Sequence, residues 1–206
     1  MTYKSTHHTI NTRKEMTHKI MLCFVRSDSD ILESSWLNRA AASLASNSDG
    51  SAPFIHSELL FCPPGVQSGT ETVSGLACSI VYSGQVHLEA KKFSRKEWFF
   101  RSMECSKGQY DTMLEFCQEH RGDSFNHLGY FMYWSPIRPS PTSYNWLGMS
   151  SRWYCSEIVI AALKKGNILD DTVPSSMHPN SLYKLVQNSS MADCGRNMNE
   201  VNLRFV

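Results

Sequence analysis

Of the seven cysteines and eight histidines in the chain, Cys155 and His56 are the two whose surroundings suit nucleophilic chemistry. Cys155 stands in Trp153-Tyr154-Cys155-Ser156-Glu157, directly ahead of the apolar run 158–163, so the pattern predicts a buried helix with the cysteine in its first turn. A helix N-terminus carries roughly half a positive charge, which favours thiolate over thiol. Lys164, Lys165 and Gly166 close the same helix. The lysines suit the negative end of the dipole, and the glycine stands where a left-handed cap is expected. A reactive cysteine needs an imidazole to take its proton and later return it to a leaving group. His56 interrupts the otherwise apolar, β-type run 54–61, and Glu58 projects from the same face of that strand. His7, His8 and His18 fall in a polar lead and His120 at a predicted helix end, where an imidazole also suits the dipole.

Each of these signals is weak by itself. Free cysteine is among the most often buried residues, and a histidine or glutamate in a strand is more often a hydrogen-bonded or solvated side chain than a catalyst. The cysteines are scattered singly, without a CxxC or HxxxH pair, so neither a metal site nor a cofactor is expected.

The elements that must carry these residues follow from periodicity and breakers. Residues 1–17 read as a disordered lead and 18–206 as one domain. Residues 20–25 predict a buried strand, 27–30 a turn, and 31–45 an amphipathic helix through Leu32, Trp36, Leu37, Ala40, Ala41 and Leu44. The His56 strand follows, then a loop over 63–72, two β-rich runs at 76–82 and 86–90, and a strand over 98–105. Ser106 predicts the cap of a helix reaching His120. Residues 125–146, rich in aromatics and broken by Pro136, Pro139 and Pro141, predict a packed but irregular connection ahead of the Cys155 helix. A short helix beginning at Pro179 and a last strand over 201–206 complete the chain. The fold class is therefore α+β, a central antiparallel sheet packed against helices.

The bulk composition narrows the functions. A net charge of +1 from twenty basic and nineteen acidic residues disfavours a nucleic-acid surface. No apolar run approaches the roughly 18 residues of a membrane span, and residues 1–19 lack the apolar segment of a secretory signal. With an odd number of cysteines, reduced thiols and a cytoplasmic setting are expected. Nothing in the sequence fixes an oligomeric state.

Taken together, a strand bearing His56-Ser57-Glu58 well upstream of a helix-initial Tyr154-Cys155-Ser156-Glu157 resembles the circularly permuted papain-like group of the NlpC/P60 superfamily. That group includes YiiX-type proteins, lecithin:retinol acyltransferase-like proteins and proteins of large DNA viruses. Pro179-Asn180-Ser181-Leu182-Tyr183 is similar to a later helix start in the same group. The resemblance implies a cysteine hydrolase with Cys155 as nucleophile and His56 as general base, acting on a peptide, protein, or lipid amide or ester. Its third polar residue, which orients the imidazole, stays open among Glu58, Ser79, His87 and Glu89. Amide hydrolysis through a Cys155 thioester leads. An acyltransferase or lipid deacylase, with a groove lined by Phe125, Tyr130, Phe131, Tyr133 and Trp134, is an alternative. So is a decayed scaffold or virion component, in the virion or host cytoplasm.

Overall fold

The computed structural model describes residues 17–29, 47, 49–63, 71–81, 84–131 and 151–188. The expected helix over 31–45, the strand over 201–206, almost all of the N-terminal lead and the proline-rich part of the aromatic segment lie outside these residues.

Five strands form one antiparallel sheet: β1 (His18–Arg26), β2 (Phe54–Cys62), β3 (Thr72–Ser79), β4 (His87–Ser94) and β5 (Trp98–Cys105), in the order β4-β3-β2-β1-β5. Strands β4 and β5 lie on opposite edges, yet only residues 95–97 join them. The sheet must therefore curl until its edges approach, and the ring of Phe93 on β4 meets those of Trp98 and Phe100 on β5 at 4.8 and 6.3 Å between centroids. Inside the curl lie Met21, Cys23, Leu60, Cys62, Val73, Ala77, Phe93 and Phe100. The alternate residues, among them Ile20, Leu22, Leu59, Phe61, Cys78 and Met103, face outward into the larger core. Helices α1 (Lys107–Glu119), α3 (Cys155–Lys165) and α4 (Pro179–Asn188) cover that outer face. A short helix α2 (His127–Phe131) follows the two-residue strand β6 (Ser124–Phe125), which pairs in parallel with β7 (Arg152–Trp153) just ahead of α3.

Local chemistry explains the boundaries. Ser106 caps α1 by accepting from the Gln109 amide at 3.2 Å while the Gln109 side chain accepts from the Ser106 amide at 3.1 Å. Pro179 opens α4 at the position where its missing N–H costs nothing. Along β2, His56 pairs with Val25 and Phe54 with Arg26, so Ile55 is an extra residue and the strand bulges there. The bulge turns Phe54 into the helix-side core while His56 stays with Glu58 on the inner side of the curl.

One expectation is overturned at the end of α3. Gly166 has φ −77°, an ordinary right-handed value, and the left-handed residue is Asn167 at φ +52°. Gly166 is needed for space instead: a Cβ there would lie 2.6 Å from Met113 Cγ on α1. Gly166→Ala is expected to destabilise the fold by about 1–3 kcal/mol through overpacking. In chemical denaturation that cost should shrink in a Met113→Ala background; an undiminished cost would point to the backbone rather than the contact.

Candidate active site

Glu58 is the most constrained polar group inside the curl, at 1% exposure. An ionised carboxylate there needs partners, and it has two. Lys91 Nζ, reaching over from β4, donates to Oε1 at 2.8 Å and to Oε2 at 3.0 Å. Along the path of the lysine chain the intervening strand β3 presents Gly75, which pairs with Lys91, and Ala77, both small enough for it to pass. His56 Nε2 lies 3.2 Å from Glu58 Oε1. Burial alone would raise the Glu58 pKa, but the His56 and Lys91 contacts outweigh it and hold the carboxyl below its usual range.

An ionised carboxylate can only accept hydrogen bonds, so Nε2 of His56 must carry a proton. Ser79 Oγ is a second neighbour of the same nitrogen at 3.2 Å. The Cys155 side chain adjoins the imidazole and acts on it through both charge and a hydrogen bond. Burial would lower the imidazole pKa; the Cys155 sulfur and then Glu58 reverse this and push it up to about 10. The ring therefore holds its proton most firmly when a negative charge stands on the neighbouring sulfur. The His56 side chain is 14% exposed, so the couple sits at the mouth of the curl and not sealed within it.

The structure thus brings four of the sequence-selected residues together: Cys155, His56, Glu58 and Ser79. His87 and Glu89 stand apart, paired with each other at 3.6 Å on the exposed part of β4. Lys91 was missed, because a lysine in a strand of mixed polarity carries no sign of a partner two strands away. Of the aromatics suggested as a groove, Phe125 is buried in the helix-side core, and the side chains of Tyr130, Phe131, Tyr133 and Trp134 lie outside the described residues. Among the described residues no cluster of three or more His, Cys, Asp or Glu side chains is placed to hold a metal ion.

Searches against protein-family models, curated proteins and solved structures find no match.

Cys155 is the first residue of α3, and Glu157, in the same turn, is buried. Glu157 Oε2 accepts from the Tyr154 amide at 3.1 Å and from Asn126 Nδ2 at 3.2 Å; Oε1 accepts from Ser176 Oγ at 2.6 Å. These contacts favour the anion, but burial opposes them more strongly and pushes the pKa up to about 7. The other described thiols are those of Cys23, Cys62, Cys78, Cys105 and Cys117. Burial raises those of Cys23, Cys62 and Cys105, the last to about 11, and a hydrogen bond with Cys78 together with burial raises Cys117. A cleft of about 570 Å³ lies beside the segments that follow Ser79 and lead into Cys155, lined by Gly84, Gln85, Ser124, Phe125, His127 and Arg152. Among the described residues no helix is long and apolar enough to cross a membrane.

Two outcomes are expected. Because Glu58 is one of the groups that raise the His56 pKa, Glu58→Gln should move the ring's titration midpoint, read by NMR, downward from about 10; an unmoved midpoint would deny the coupling. A carboxyl with a raised folded pKa favours the fold while protonated, so the Glu157 contribution is full below about 4.5 and lost as pH rises through about 7. Glu157→Gln mimics the neutral carboxyl and should flatten the pH dependence of unfolding free energy across that window by on the order of 3 kcal/mol. Parallel curves for the two proteins would contradict the assignment.

Proposed function

We propose that the chain is a thiol hydrolase that cleaves an amide or peptide bond through a Cys155 thioester, built on the permuted papain-like plan of the NlpC/P60 superfamily. The observation that carries this reading is the meeting of Cys155, at the start of α3, with a His56 whose Nε2 is held by a buried, ionised Glu58. The order of elements agrees with it, since the histidine strand precedes the cysteine helix, the strand lying at the centre of the antiparallel sheet and the helix packing on that sheet.

In this reading the His56 imidazolium holds the proton that Cys155 has given up, and the sulfur anion attacks the carbonyl carbon. The negative charge that builds on the carbonyl oxygen is stabilised by amides at the start of α3, an arrangement worth on the order of 3 kcal/mol per well-placed donor. The imidazolium returns the proton to the departing amine, leaving an acyl-thioester on Cys155. Water then attacks that thioester, His56 takes its proton, and the carboxylic acid and free thiol are released. Glu58 fixes the ring's tautomer and stabilises its positive charge, and Lys91 keeps Glu58 ionised. None of the six described cysteines is tied up in a disulfide, which leaves their sulfurs available for such chemistry.

Incubation with an activated acyl ester, followed by mass spectrometry of the intact protein and its peptides, tests the reading. A single acyl adduct on the peptide containing Cys155 is expected. It should be absent in Cys155→Ala and form about a hundredfold more slowly in His56→Ala, the scale of one general base. Acylation at other cysteines, or at Cys155 with no dependence on His56, would overturn the proposal.

A further inference from the structure

The two halves of the candidate site come from distant parts of the sequence, and one short segment touches both. Residues 176–180 run from the loop after α3 into the first turn of α4. On the nucleophile's side, Ser176 Oγ donates to Glu157 Oε1 at 2.6 Å, and the carbonyl oxygen of Met177 accepts from Ser156 Oγ. Ser156 and Glu157 are the two residues directly after Cys155. On the base's side, Asn180 Oδ1 accepts from the Phe54 amide at 3.3 Å, two residues before His56 and at the edge of the bulge. The other end of the Asn180 amide donates to Asn47 Oδ1 at 2.7 Å, so the group is held from both sides.

The segment between these contacts is itself hydrogen-bonded internally. The Asn180 backbone N–H donates to His178 Nδ1 at 3.2 Å, and the Leu182 backbone N–H donates to the His178 carbonyl at 3.0 Å. His178 and Asn180 are each 6% exposed, and burial holds the His178 imidazole down at about 4, so it remains a neutral acceptor. One helical turn further on, the ring of Tyr183 packs on Phe54 and Phe24 at 4.2 and 5.2 Å between centroids, and Arg101 donates to its hydroxyl at 2.6 Å. Helix α4 is thus anchored to β1 and β2 by packing while its N-terminal approach grips α3 by hydrogen bonds.

We infer that residues 176–180 are a positioning clamp that sets the spacing between Cys155 and His56, with Ser176 and Asn180 as its two gripping side chains. Neither side chain touches the reacting atoms; each acts through the neighbour of one that does. The functional meaning of the clamp rests on the hydrolase reading, but its structural effect does not. A displacement of about 1 Å at a catalytic group can cost on the order of a hundredfold in rate, so a device that fixes this spacing has a large lever.

The coupling between Cys155 and His56 can be measured without any substrate, as the fall in the His56 titration midpoint caused by Cys155→Ser. That fall is expected to be large in the wild type and clearly smaller in an Asn180→Ala background, whereas Asn180→Asp, which keeps the acceptor for the Phe54 amide, should preserve most of it. Alkylation of Cys155 by iodoacetamide should slow by about tenfold in Asn180→Ala and in Ser176→Ala, at a temperature where both remain folded. Ser176→Ala gives the same test if Asn180→Ala does not fold. Variants that lose thermal stability yet keep the full midpoint shift and alkylation rate would overturn the clamp. A reduced coupling in a protein that never forms an acyl adduct would uphold the clamp and sink the hydrolase reading.

Discussion

Everything at this site depends on keeping one carboxylate ionised in an almost dry place. Glu58 lies at 1% exposure between sheet edges that have curled together, where an unpaired charge would cost several kcal/mol. Its two oxygens are used by Lys91 and His56, and each contact has a structural requirement. Lys91 reaches Glu58 because β3 offers Gly75 and Ala77 beneath its path. His56 reaches it because a bulge at Ile55 leaves the imidazole on the inner side while sending Phe54 to the helices. A buried ion pair of this kind is poor evidence for stability, since apolar replacements often serve as well. Its value lies in fixing the ring's tautomer and in charging the ring's environment.

The opposite end of the site solves a related problem with the opposite result. Glu157 is also nearly buried and also hydrogen-bonded on both oxygens, yet its partners are neutral: a backbone amide, an asparagine and a serine. Among the described residues no cation offsets its burial, so its pKa rises to about 7 where that of Glu58 falls. Two glutamates with similar exposure therefore differ near neutrality, Glu58 ionised and Glu157 part-protonated, and the difference comes from the His56 and then the Lys91 contacts of Glu58. The ionised one serves the imidazole; the other ties the start of α3 to its surroundings.

Much of this was legible in the sequence, and the reasons are specific. The alternation around His56 and Glu58 placed both on one face, and the apolar run after Glu157 placed Cys155 at a helix start, because both inferences use only local periodicity. The strand Trp98–Cys105 and the helix capped by Ser106 were legible for the same reason. Lys91, the bulge at Ile55 and the grip of Asn180 on the Phe54 amide were not, since each depends on strand register or on contacts between distant elements. The choice among Glu58, Ser79, His87 and Glu89 was a matter of register as well. Ser79 and Glu58 reach the ring, whereas His87, although it pairs with Ser79 across β3 and β4, turns to Glu89 on the same strand. Gly166 looked like a left-handed cap and is a spacer for Met113, a distinction that only packing between two helices reveals.

The most direct measurement is the rate at which iodoacetamide modifies each cysteine of the folded protein at neutral pH, resolved by peptide mass spectrometry in the wild type and in His56→Ala. Cys155 is expected to react far faster than Cys23, Cys62, Cys105 and Cys117, and to lose that advantage when His56 is removed. Equal modification of all the cysteines, or a Cys155 rate that ignores the loss of His56, would contradict the pairing on which the proposed chemistry stands.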